Sequence, residues 1–185
     1  EVFIGKLGAS GYDAYFNGYI DSLKLSVGNS VYSQGFGQDA AYLKNSFNFT
    51  TLTQGDTQAV LNLIDTGKEK ITTTLTGVSA SRSQKEEGKY SSAYFGQNSY
   101  ITDSSGNSLN IGEEPFSIVS KIKIIGEVGN RYIVRSTDTI KETFNLYIGE
   151  DNKLHFEIKQ NGEILKAATS STVVPINKWV SIGLV

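Results

Sequence analysis

The chain has no cysteine and no methionine, and only two prolines, one tryptophan and one histidine in 185 residues. Without cysteine there are no disulfides, thiolate metal sites or thiol nucleophiles, so stability has to come from packing. One histidine, His155, excludes a metal site built from several imidazoles and leaves a single candidate general base. The missing methionine extends to position 1, which reads as an excised or internal segment, or as a mature chain with its leader removed. No apolar run approaches the roughly 20 residues of a membrane helix, and the opening residues lack the charged n-region of a signal sequence. Membrane insertion is therefore not expected. Neither charge sign dominates, because 17 Lys and Arg oppose 19 Asp and Glu for a net charge of -2. That leaves no basic footprint for nucleic acid or an anionic membrane.

What is present is β-forming. Hydrophobic residues make up 38% of the chain, enough for a core, and there are ten tyrosines and nine phenylalanines. Short alternating runs are punctuated by Gly, Asn, Asp and Ser, and helical periodicity is nearly missing. In residues 153–159, Leu154, Phe156 and Ile158 share one face while Lys153, His155, Glu157 and Lys159 share the other. Residues 143–148 precede it across the turn cluster Gly149-Glu150-Asp151-Asn152, and Asn161-Gly162 follows it, leading into residues 164–167. Three strands of a meander are the expectation. Further strands are expected at 2–6, 15–27, 70–78, 90–95, 116–125, 130–137 and 178–185, with Phe116, Phe144, Phe156 and Trp179 in the core. Strands this short and this closely spaced favour an antiparallel sandwich over a parallel α/β sheet.

Residues 17–25, Asn-Gly-Tyr-Ile-Asp-Ser-Leu-Lys-Leu, resemble the closing strand of laminin G-like domains, where a G-x-I-D-x-[LV]-[RK]-[IL] run follows an I-G-x strand; here that strand is Phe3-Ile4-Gly5. From Asp39 onward the landmarks of a second copy follow in order: Ser46-Phe47-Asn48-Phe49, Tyr90 to Phe95, Tyr100-Ile101, Phe116-Ser117-Ile118 and Trp179-Val180. The resemblance implies an all-β, antiparallel jelly-roll β-sandwich of the concanavalin A-like or laminin G-like kind, of the type found in phage tail and bacterial adhesin proteins. Residues 1–38 would be the C-terminal strands of one such domain, or strands completing a neighbouring copy, and residues 39–185 the N-terminal and central part of another. A repeat array cut out of register, a circular permutation or strand donation between chains would each give this order.

The resemblance also implies a non-catalytic, lectin-like carbohydrate-recognition module of a larger extracellular, cell-surface or virion-surface protein, with a cell-surface glycan as partner. The competing expectation is a structural or assembly module of a fibre, array or virion, whose partners are neighbouring β-sandwich domains or chains. Sugar binding needs aromatic faces for C–H surfaces and polar groups for hydroxyls, which singles out Tyr100, Asn130, Arg131, Tyr132, Asn145 and Tyr147. For calcium, a possible cofactor, Asp103 and Asn107 in the oxygen-rich loop 103–108 are the best ligands, with Asp13 beside Asn17 a weaker pair, although Asx-turn chemistry explains the same loop. An enzyme is not expected. His155 reads as a solvated surface histidine with no G-x-S-x-G elbow, and no strand carries the alternating carboxylates of a glycosidase; Glu86-Glu87 and Glu113-Glu114 are adjacent pairs in polar turns.

Overall fold

The structure, a computed structural model, describes residues 2–7, 14–27, 45–54, 58–65, 73–81, 83–84, 92–103, 116–126, 129–137 and 142–185. Among them there is no helix. The strands are β1 (Val2–Ile4), β2 (Gly18–Val27), β3 (Asn45–Gln54), β4 (Gln58–Asp65), β5 (Thr73–Thr76), β6 (Ser79–Ser81), β7 (Ser92–Phe95), β8 (Tyr100–Asp103), β9 (Phe116–Ile124), β10 (Arg131–Thr137), β11 (Glu142–Ile148), β12 (Lys153–Gln160), β13 (Glu163–Val173) and β14 (Trp179–Leu184).

These strands form two antiparallel sheets. The first runs β13-β12-β11-β10-β1-β8-β5; the second runs β14-β9-β2-β3-β4, with β7 pairing β2 and β6 pairing β7. The second sheet forks at β2, which gives Gly18 to Ile20 to β7 and Lys24 to Val27 to β3. Residues near the N-terminus thus lie inside both sheets, β1 between β8 and β10 and β2 against β9.

Local chemistry explains the hairpins. Asn161 and Gly162 both have positive φ, 52° and 87°, the backbone of a tight turn whose twist matches that of its strands. At the β11–β12 turn Asn152 takes φ 57°, and the Gly149 amide donates to the Lys153 carbonyl at 3.0 Å. Gly18 cannot be replaced: a Cβ there would collide with the Lys123 carbonyl, because β9 passes directly behind it.

The inner faces meet in one apolar core. Ile4, Ile101, Leu146, Ile148 and Phe156 come from the first sheet and Ile20, Phe95, Ile118, Ile122 and Ile182 from the second. Phe116 of β9 meets Phe156 of β12 across the sheets at 5.4 Å between ring centres, and Phe16 packs edge-on to Phe95 at 6.0 Å. A bulge in β10 between Tyr132 and Val134 buries both Ile133 and Val134.

Three expectations need correction. Phe144 and Phe156 are core residues, but Trp179 is not: Val180, Ile182 and Leu184 take the inward positions of β14, so alternation puts Trp179 on the outer face, only half-buried. Phe116 is half-buried and packs against the core rather than within it. Residues 58–65 were not expected to form a strand. Their apolar residues run consecutively rather than alternating, a pattern that does not separate strand from other structure.

Candidate functional site

The outer face of the first sheet is built by alternation. In β11, Phe144, Leu146 and Ile148 go inward, so Asn145 and Tyr147 go outward; in β12, Phe156 and Ile158 go inward, so His155 and Glu157 go outward. Antiparallel register then sets Tyr132 opposite Tyr147, Tyr147 opposite His155 and His155 opposite Thr169. The next row sets Arg135 opposite Asn145 and Asn145 opposite Glu157.

The rings make a continuous stack across three strands. Tyr132 and Tyr147 lie 5.0 Å apart at 23°, and Tyr147 and His155 lie 5.1 Å apart at 13°. Each such pair contributes about 0.5–1.5 kcal/mol beyond the area it buries.

Hydrogen bonds fix the ladder at its middle and at its His155 end. The Tyr147 hydroxyl donates to Glu157 Oε1 at 2.8 Å, and Lys159 Nζ lies 3.1 Å from Glu157 Oε2. His155 Nε2 is 2.8 Å from Asp151 Oδ1, and its Nδ1 is 3.1 Å from Thr169 Oγ1. A carboxylate only accepts, so Nε2 carries a proton towards Asp151, while Nδ1 pairs with the threonine hydroxyl. One turn and one edge strand therefore orient the imidazole.

Burial first, then the hydrogen bond to Glu157 and the negative charges around it, push the Tyr147 phenol well above its ordinary range. Burial also raises Tyr132, partly offset by the Arg135 charge, and burial lowers Arg135. Glu157 is raised by burial, yet hydrogen bonds from Tyr147, Lys159 and Asn145, with the Lys159 charge, outweigh this and hold it below its ordinary range. The face thus presents neutral tyrosines beside an ionised carboxylate.

Arg135 and Asn145 form the polar floor. An Arg135 Nη1 donor reaches the Leu7 carbonyl, but Arg135 Nε and Asn145 Oδ1 are buried with no hydrogen-bond partner among the described residues. Leaving a buried polar atom unpaired costs about 1–3 kcal/mol.

Of the residues singled out in the sequence, Tyr132, Asn145 and Tyr147 come together here. Tyr100 shares the face two strands away on β8, with Phe3 of β1 between at 6.5 Å and Lys6 Nζ 4.6 Å over its ring. Asn130 is exposed in the turn before β10. Arg131 does not belong to the face. It alternates with Tyr132, is buried opposite Ile148 and donates to Asn152 Oδ1 at 3.2 Å, which pins the β11–β12 turn. His155 is likewise no solvated surface histidine, with a side chain 22% exposed and stacked on Tyr147.

Asp103 ends β8, opposite Val2 and Thr73, and its side chain, the loop with Asn107 and Asp13 all lie outside the described residues. Among the described residues no three His, Asp or Glu side chains gather as a metal site would require. His155, Glu157, Arg135 and Thr169 were not expected at a binding face, although the polar face of β12 marks the first two. No family model, curated protein or solved structure matches the chain.

Proposed function

We propose that the chain is a non-catalytic, lectin-like carbohydrate-recognition module on a laminin G-like jelly-roll sandwich, part of a larger extracellular or virion-surface protein, and that the outer face of its first sheet contacts a cell-surface glycan. One observation carries this reading: the ring stack Tyr132–Tyr147–His155, bordered by the amide of Asn145, the guanidinium of Arg135 and the carboxylate of Glu157. The stack covers both faces of Tyr147, so the rings at its ends, Tyr132 and His155, offer the surfaces for the C–H patches of a pyranose, and donors and acceptors beside them take its hydroxyls.

Thr169, His155 and Asp151 stand in the order of a hydrolytic triad. Their placement argues for ring orientation instead. Asp151 is about half exposed on a turn and Thr169 is exposed on an edge strand, whereas acyl transfer needs a dry site with oxyanion donors.

A glycan array probed in calcium and then in chelator tests the reading. Reproducible binding that is weakened by Tyr132→Ala without loss of folding supports it; a blank array from folded protein under both conditions refutes it. Loss of binding in chelator alone brings calcium and the Asp103–Asn107 loop into the site.

A second reading, an assembly module, draws on β13. This edge strand of eleven residues exposes Ile164 at 57%, Leu165 at 55% and Val173 at 60%. An unpaired apolar edge is a template for another strand. Light scattering that shows concentration-dependent oligomers, together with a blank array, would favour this reading.

A further inference from the structure

The second sheet carries an aromatic row of its own on its outer face. Register aligns Tyr94 of β7 with Tyr19 of β2, Tyr19 with Lys123 of β9, and Lys123 with Trp179 of β14. Tyr19 lies 5.0 Å from Tyr94 and 6.3 Å from Trp179 between ring centres, with tilts of 39° and 47°. The row crosses four strands, about 14 Å at the usual strand spacing. All three rings are half-buried.

The row has a cation in its middle and a wall at its side. Lys123 faces uncharged rings on both neighbouring strands, and its ammonium donates to the neutral amide oxygen of Gln84 at 2.6 Å. Gln84 is held over the sheet by its own carbonyl, which accepts from the buried hydroxyl of Ser92. Among the described residues, the carboxylate on this face is Asp21, in the next row opposite Lys121. Within the aromatic row, then, the one formal charge is positive and its hydrogen-bond partner is neutral.

We propose that this face is a second, independent binding site, for a sugar that carries a carboxylate, such as a uronic or sialic acid residue of a glycan. The pyranose lies on Tyr19 and Trp179, its carboxylate meets the Lys123 ammonium, and the Gln84 amide takes a hydroxyl. Charge complementarity selects the acid: Lys123 exchanges a neutral acceptor for an ionised one, and charge-assisted hydrogen bonds are roughly twice as strong as neutral ones. The rings select a sugar over an acidic peptide, because an aspartate or glutamate side chain would engage Lys123 and leave the strip uncovered. The successive tilts suit a single soluble chain that follows the twist of the sheet, not a flat crystalline surface.

Trp179 is the sole tryptophan, so its fluorescence reports on this face alone. The full chain is titrated with 3′-sialyllactose, tetragalacturonate, lactose and poly-L-glutamate. The expected result is a saturable change in emission with at least one acidic saccharide, at an affinity at least tenfold above that for lactose. Lys123→Gln keeps the fold and the reporter and should weaken that binding at least tenfold, while Tyr147→Ala on the other sheet should leave it as in the wild type. Equal response to lactose, response to polyglutamate only, no response, full affinity in Lys123→Gln, or loss in Tyr147→Ala would each overturn the proposal. Because the reporter and the cation both lie on the second sheet, failure here leaves the glycan-array result for the first sheet untouched.

Discussion

β12 and β13 are partners in one hairpin, yet they live in different environments. β12 buries Phe156 and Ile158, whereas β13 buries none of its residues; Ala168 and Lys166, opposite those two, are exposed. β12 pairs on both sides, with β11 and β13, whereas β13 at the sheet's edge pairs with β12 alone, so the two differ in pairing as well as in burial. The second sheet covers β12, through contacts such as Phe116 on Phe156, and leaves β13 open on both sides. Burial in a sandwich is therefore set by what lies across the core as much as by a strand's own pattern.

The same contrast orders the expected effects of substitution. Phe95 sits under both sheets with no exposure, so Phe95→Ala should cost about 3–5 kcal/mol in denaturant unfolding. A loss below about 1 kcal/mol would mean that the core has been misplaced. Trp179 is the larger residue but lies on an outer face against Tyr19, and Trp179→Ala should cost only about 1–2 kcal/mol. A cost equal to that of Phe95→Ala would return Trp179 to the core and erase the distinction between inner and outer faces.

Smaller effects sharpen the account of the ladder. Glu157 is held below its ordinary value of 4.5, so its interactions stabilise the fold above that pH and are lost as acid carries it through its lower folded value. Tyr147→Phe removes the hydroxyl that donates to Glu157. The variant should be less stable by about 1 kcal/mol at pH 7, and its gap from the wild type should close below the ordinary glutamate range. A gap independent of pH would show that the hydrogen bond does not hold Glu157 ionised. Smallest of all, Leu165→Lys on the open edge should change stability by less than about 0.5 kcal/mol while suppressing any strand-to-strand association. A large loss of stability would show that β13 is covered after all.

Much of this was legible in the sequence, for reasons visible in single strands. Leu154, Phe156 and Ile158 against His155, Glu157 and Lys159 fixed both faces of β12, and Asn161-Gly162 fixed the hairpin after it. The pairing of Tyr132 with Tyr147 was within reach, since both alternate with aliphatic residues. Size misled at Trp179, where the Val180, Ile182 and Leu184 face was the better guide to what is inside. Proximity misled at Asn130, Arg131 and Tyr132, because consecutive residues of a strand cannot share a face. The partnership of Thr169 with His155 was beyond reach. It depends on a register shift between β12 and β13 that no local pattern announces.

The outer face of the first sheet, through Tyr132, Tyr147 and His155, is proposed as the glycan-contact surface. Amide chemical shifts followed by NMR during titration with the strongest glycan from the array test it most directly. The largest shifts are expected in β10, β11 and β12 around Tyr132, Asn145, Tyr147 and Glu157, with their loss in a Tyr132→Ala, Tyr147→Ala double variant that still folds. Shifts confined to other elements, or unchanged in the double variant, would contradict it.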